Sequence, residues 1–270
     1  MQQLNKELYY KQIKMRIFNI DKKINDAQQY SSENWKHLHK VTELSEERMI
    51  PSPVIVDYLS RNITLHTNSD EQEKIGLEIG CGFARNILFL LEKNYCQNFI
   101  GIDQTETALI KSVIHSEIKE LKNRCQFILA TAGNIFPFND ESIDFILDVM
   151  AASVFITNSK LRKAYFKEIS RVLKPGGIFF IFTGNSDGDF YKKSNLCKGS
   201  EIGTFHRCID NLLEKTYTKE ELIDLLYPME PVILEPQSIY VRAFGEQKLY
   251  RKEGFWFSVF RKRKIEGMHD

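Results

Sequence analysis

Long hydrophobic runs are missing from this sequence: nothing in it approaches the roughly 20 apolar residues that cross a bilayer. An excess of one charge is missing too. Lys and Arg number 37 against 36 Asp and Glu, a formal net charge of +1, so no global field points to nucleic acid or to an acidic partner. Cysteine is sparse and unpatterned. The five residues Cys81, Cys96, Cys125, Cys197 and Cys208 are odd in number and show no CxxC spacing. That excludes a disulfide framework and a thiolate zinc site, and it fits reduced thiols in a cytoplasmic protein with no metal. The opening MQQLNKELYYKQIKMRIF has neither the apolar centre nor the small-residue cleavage site of a secretory signal. Internal repeats and low-complexity linkers are absent as well.

What is present suffices for a sizeable core. The 270 residues are 43% hydrophobic and 27% charged, which suits one α/β domain with a cap. Leu4, Leu8, Ile13, Ile17, Ile20 and Ile24 recur at near-helical spacing, with Lys11, Lys14 and Lys22 on the other side. The spacing predicts an amphipathic first helix docked on the domain. Trp35 follows after a polar break, and then Pro51-Ser52-Pro53 opens a helix over VIVDYLSRN. Residues 1–73 read as an N-terminal helical cap.

From Lys74 onward short apolar runs alternate with helical periods. IGLEIG, NFIGID, CQFILA, IDFILDV and GIFFIFTG read as strands; RNILFLLEKN, TETALIKSVIHSEIKELK and SKLRKAYFKEISRVLK between them read as helices. Such alternation predicts βαβ units: a parallel sheet with helices on both faces. A polar stretch, residues 185–216, reads as a substrate-side loop or insertion. Thr218 then caps a helix with Glu221 at the capping-box position, and PVILEPQSIYV and GFWFSVFRK give two more strands.

The chemistry concentrates in one turn. The strand Ile75–Ile79 runs into Gly80-Cys81-Gly82-Phe83-Ala84, and a helix opens near Arg85. Glycines let the chain turn sharply and let a ligand approach; a plain tight turn uses them equally. In an open parallel sheet, ligands bind beyond the C-terminal strand ends where strand order reverses. A dinucleotide fingerprint would need its third glycine where Arg85 stands, and the GK[ST] of a phosphate loop is absent. Asp103 ends the next strand, placed either for ribose hydroxyls or for capping the helix that begins near Thr105.

Together these residues resemble the class I S-adenosylmethionine (SAM)-dependent methyltransferases, particularly the small-molecule group. The family's acid-GxGxG motif stands as Glu78-Ile79-Gly80-Cys81-Gly82-Phe83-Ala84, and its acid after the second strand as Asp103. Phe136-Pro137-Phe138-Asn139-Asp140-Glu141-Ser142-Ile143-Asp144 is similar to its LPF-x-DESFD segment, and Arg171-Val172-Leu173-Lys174-Pro175-Gly176-Gly177 to its RVLKPGG segment. The resemblance covers about Lys74 to Gly184 and implies a Rossmann-like, seven-stranded sheet with the last strand antiparallel, in a SAM-binding domain spanning residues 74–270. It further implies that Glu78 holds the methionine end of SAM, directly or through water, and that Gly80, Cys81 and Gly82 lie against the cofactor. Asp103 would bind the ribose, with Gln104 and Thr105 flanking the adenine. Two departures stand out. Ala84 replaces the third glycine, and Ala132 falls where the family keeps an acid near the adenine amino group, leaving the backbone of Ala132 and Gly133 to read the ring.

At the reacting end, Asp148 closes the fourth strand, whose end is expected to face the SAM methyl group; there it lies against the cofactor and either orients the acceptor or bonds backbone N–H groups. Methyl transfer is an in-line displacement that needs alignment and dryness more than a strong acid. Where a base is required, His206 is the candidate, with Tyr191 and Arg207 in the same stretch. The expected activity is methylation of a small molecule at nitrogen, oxygen or sulfur, in a protein with no membrane partner. Three rivals remain: intramolecular cyclisation of SAM with release of methylthioadenosine; nucleic-acid methylation, which rests on Arg261 to Lys264 and the early lysines; and a noncatalytic SAM-binding subunit. The missing NPPY-like run and the near-neutral charge count against nucleic acid.

Overall fold

The structure, a computed structural model, describes residues 17–19, 26–41, 46–67, 73–133, 135–188, 198–206, 211–242 and 249–264. The chain enters at β1 (Ile17–Asn19) and continues through three helices, α1 (Asp26–Val41), α2 (Glu46–Met49) and α3 (Pro53–Ser60). Alternation then sets in with β2 (Ile75–Ile79), α4 (Arg85–Glu92), β3 (Asn98–Asp103), α5 (Glu106–Ile118), β4 (Cys125–Leu129) and β5 (Ile143–Val149). After β5 come α6 (Ala152–Phe155), α7 (Ser159–Val172), β6 (Leu173–Asn185), β7 (Thr204–His206), β8 (Leu213–Tyr217) and α8 (Lys219–Leu226). Two long strands close the chain, β9 (Glu230–Arg242) and β10 (Leu249–Arg261).

The sheet runs in the order β1-β4-β3-β2-β5-β6-β10-β9. β2 to β6 are mutually parallel, while β10 lies antiparallel between β6 and β9. The expected seven strands are therefore β2 to β6, β9 and β10. Order reverses between β2 and β5, which opens a crevice at their C-terminal ends.

Side-chain alternation along the strands explains the two faces. Phe145, Leu147, Phe180 and Phe182 point to the face covered by α3, α4 and α5, where they meet Tyr58, Ile87 and Val113. Their neighbours Ile146, Phe179 and Ile181 point to the other face, against Tyr165 and Ile169 of α7 and Leu222 of α8. Phe255, Trp256, Phe257 and Phe260 of β10 are all buried, as their strand-like pattern predicts, and the Trp256 indole donates to the Tyr217 carbonyl at 2.9 Å.

Two local expectations need correction. Ile17 to Asn19 does not continue an amphipathic helix; it pairs in parallel with Phe127 to Leu129 at the sheet edge. An exposed strand edge offers unpaired backbone groups, and a β-branched, aromatic segment satisfies them in extended form. The remainder of that predicted helix, up to Ile24, lies outside the described residues. At Thr218 the hydroxyl accepts from the Glu221 N–H at 3.1 Å, but the Glu221 carboxylate does not complete a capping box. It takes Lys215 Nζ at 2.7 Å instead, because that buried ammonium needs a counter-charge.

Candidate functional site

The glycine loop lies at the C-terminal end of β2, where the crevice opens. Gly80 and Gly82 adopt φ of +67° and +54°. A Cβ on Gly80 would lie 2.5 Å from the Ala151 Cβ, so its missing side chain admits the β5–α6 turn rather than a ligand. A Cβ on Gly82 would meet nothing within 4 Å, so the open space expected for a ligand lies there. Cys81 is buried and donates its N–H to the Ile102 carbonyl at 2.9 Å. Ala84 sits at φ +59°, a left-handed conformation that costs a non-glycine residue about 1–2 kcal/mol.

Side chains from β3 and α5 pin this loop. Asp103 Oδ2 accepts from the Gly82 N–H at 3.1 Å, Ser112 Oγ donates to the Gly82 carbonyl at 2.6 Å, and His115 Nδ1 donates to the Phe83 carbonyl at 2.8 Å. The other Asp103 oxygen accepts from both the N–H and the hydroxyl of Thr105, each at 2.8 Å. Asp103 thus caps its own turn: Oδ1 has both lone pairs engaged, and Oδ2 retains one for a further donor. Ser112 and His115 were not singled out by sequence reasoning. Their only signal was a polar residue on the inner face of a helix whose neighbours there are apolar.

Glu78 is the most unusual group in the site. It projects from β2 toward α4 and is buried. Asn86 Nδ2 donates to its Oε1 at 2.7 Å, and Asn86 Oδ1 accepts from the Ser52 N–H at 2.8 Å. The second carboxylate oxygen, Oε2, is buried with no hydrogen-bond partner. Burial pushes the Glu78 carboxyl up to about 8, opposed by the Asn86 amide, the Arg85 charge and the Ile87 N–H. Such an oxygen calls for a donor, preferably cationic, from outside the protein. The SAM ammonium fits that demand, and the open face of Gly82 fits a ligand lying across the loop.

The remaining predicted residues fall as follows. Gln104, Ala132 and Gly133 are half-buried at the ends of β3 and β4, with Gly133 at φ +96°. Asp148 is fully buried, and its two oxygens accept from the N–H groups of Ala151 at 3.0 Å and Ser153 at 2.7 Å and from the Tyr165 hydroxyl at 2.7 Å. Burial raises its pKa and those bonds oppose the shift. Asp148 therefore fastens the turn after β5. His206 stands on the β7–β8 hairpin, Nδ1 3.1 Å from the Asn211 carbonyl. It pairs with Leu213, three residues along β8 from Thr216, which joins β6. That separates it from the β6 pairing by about 10 Å along the strand. Tyr191 and Arg207 lie outside the described residues, as do Cys197 and Cys208, whereas Cys81, Cys96 and Cys125 are buried thiols.

Above the crevice lies α1. Trp35 meets Phe155 of α6 edge-on with ring centroids 5.3 Å apart, and His39 meets Phe83 at 5.5 Å. Sequence reasoning noted Trp35 but missed His39, which touches Trp35 one turn earlier and whose partners Phe83 and Thr105 are more than 40 residues away. Among the described residues no cluster of His, Cys, Asp or Glu is arranged to hold a metal ion, and no helix is long and apolar enough to cross a membrane.

Comparison with known proteins finds relatives in sequence and in fold. Residues 77–181 match the family described as methyltransferase domain. A sterol 24-C-methyltransferase of Pneumocystis carinii is 26% identical over 152 residues, which is 52% of this chain and 37% of that protein. A phthiotriol/phenolphthiotriol dimycocerosates methyltransferase of Mycobacterium tuberculosis is 27% identical over 122 residues, 44% of this chain and 42% of that one. The matched segment thus spans about two fifths of the length of these curated relatives. In fold, a SAM-dependent methyltransferase from Methanosarcina mazei superposes with a TM-score of 0.60 at 21% identity, over 80% of this chain and all of that one.

Proposed function

We propose that this chain, which carries a class I SAM-dependent methyltransferase domain, transfers the methyl group of SAM to a small molecule. Bound SAM supplies a methyl group activated by its sulfonium. The observation that carries the reading is the buried, unpartnered Oε2 of Glu78 beside the glycine loop. In this reading Glu78 holds the ammonium of the methionine end, and the backbone of Cys81 and Gly82 lies against the cofactor. Asp103 holds the ribose hydroxyls, while Gln104 and the backbone of Ala132 and Gly133 flank the adenine.

The chain's own part in the reaction is alignment and exclusion of water. Residues 1–73 act as the cap and 74–270 as the catalytic domain, with 185–216 on the acceptor side. Trp35, Phe83 and Phe155 give the mouth of the crevice an aromatic lining, which favours an apolar acceptor. Similarity to a sterol and a phthiotriol methyltransferase supports the same class. The attacking atom is nitrogen, oxygen or sulfur, with carbon added by the name of the sterol enzyme. Asp148, its oxygens engaged by the turn, acts by positioning that turn beside the acceptor.

The test is incubation of the purified protein with SAM, alone and then with a panel of sterol-like, lipid and small amine or thiol acceptors, followed by mass spectrometry. Expected are intact SAM in the absence of acceptor and S-adenosylhomocysteine (SAH) plus a product 14 mass units heavier in its presence. Enzyme-dependent methylthioadenosine from SAM alone would replace methyl transfer by cyclisation. Binding of neither SAM nor SAH would end the reading altogether.

A further inference from the structure

One face of α1 spans the crevice from bank to bank. Trp35 reaches Phe155 on the acceptor side, and His39, one helical turn later, reaches Phe83 of the glycine loop and Thr105 after β3. Lys111 of α5 adds a bond from its ammonium to the His39 carbonyl and lies 5.0 Å over the Phe83 ring. His39 is buried, and its Nδ1 stands 2.7 Å from Thr105 Oγ1.

The direction of that bond follows from proton counting. Thr105 Oγ1 has one proton, and it goes to Asp103 Oδ1 at 2.8 Å. His39 Nδ1 must therefore donate to Thr105. The result is a chain, His39 to Thr105 to Asp103, whose last member also receives the Gly82 N–H. Without the His39 donor, the Thr105 oxygen would be left buried and short of a partner.

We propose that His39 is a positioning residue for the cofactor ribose: through Thr105 it sets the orientation of Asp103, and by the same bond it fastens α1 over the crevice, so that ribose binding and lid closure form one equilibrium. The proposal rests on the SAM reading above. His39 touches no reacting atom in it; its effect reaches the ligand only through Thr105 and Asp103.

The test uses the full chain, its His39→Leu variant, which keeps bulk without a donor, and its His39→Asn variant, which keeps an N–H donor. Each is titrated calorimetrically with SAH and with the 2′,3′-dideoxyribose analogue of SAH, well below its unfolding midpoint. Trypsin cleavage after Lys36 and Lys40 is followed with and without SAH. Expected for His39→Leu is about tenfold weaker SAH binding, the scale of one buried hydrogen bond, with less than a twofold change for the dideoxy analogue. His39→Asn should restore most of the SAH affinity. SAH should slow cleavage in the wild type and leave His39→Leu unprotected. Equal weakening of both ligands, no weakening of either, or an Asn variant that behaves like Leu would overturn the role of His39 while leaving SAM binding in place. A wild-type chain that binds no SAH would overturn both.

Discussion

Asn86 joins Glu78 through a 2.7 Å hydrogen bond that occupies one carboxylate oxygen and leaves the other buried without a partner. The pair links the end of β2 to the first turn of α4, and Asn86 in turn holds the Ser52 N–H ahead of α3. The end of β2 and the segment ahead of α3 are thereby tied through a single amide.

The first prediction concerns pH. An unperturbed glutamate titrates near about 4.3. In the free folded protein burial holds the Glu78 carboxyl up to about 8, so between these two values the folded state carries one proton more than the unfolded state. The stability this gives is complete below the lower value and is lost as pH rises toward the upper one, by at most about 1.4 kcal/mol per pH unit. A bound ammonium reverses the preference and drives the proton off. SAH affinity should therefore rise with pH up to about 8 and then level, with proton release visible in buffers of different ionisation enthalpy. Glu78→Gln should bind weakly and lose the slope; a variant that retains the slope would assign it to another group.

Asn86→Ala should lower stability by about 2–4 kcal/mol, because it leaves both the Ser52 N–H and a Glu78 oxygen unpaired in a buried setting. The shift in urea midpoint at unchanged m-value measures this. A cost below about 0.5 kcal/mol would mean that the two groups find other partners.

Asp148→Asn should also destabilise, by roughly 2–4 kcal/mol, since an amide cannot accept at both positions from the Ala151 and Ser153 N–H groups and the Tyr165 hydroxyl. Thermal unfolding reports the loss directly. SAH binding by the fraction that remains folded should fall less than it does for Asp103→Ala.

His206→Ala is expected to leave both stability and turnover nearly unchanged, within about 0.5 kcal/mol and threefold, because its ring bonds one loop carbonyl at the outer end of a hairpin. Steady-state kinetics on the first acceptor found will decide. A hundredfold drop in kcat with little change in KM would make it the base.

The βαβ alternation, the glycine turn and the acid at Asp103 were legible from local pattern, because strand and helix periods and left-handed turns are imposed by neighbouring residues. The seven central strands follow that pattern, with β10 antiparallel. The segment around Ile17 was misread because its spacing suits a helix, and only the free edge of β4 makes the extended form preferable. His39 was invisible because its meaning lies in Thr105, 66 residues away, and a histidine in a polar stretch carries no local signal. Asp148 was open between two readings until the turn after β5 closed on it. Sequence alone determined the seven central strands and the left-handed glycine turn after β2, since short-range sterics and hydrophobic period suffice for both. Tertiary structure decided which carboxylate oxygen stays unpaired, which helix roofs the crevice and which histidine meets it, since these depend on desolvation and contacts between distant segments.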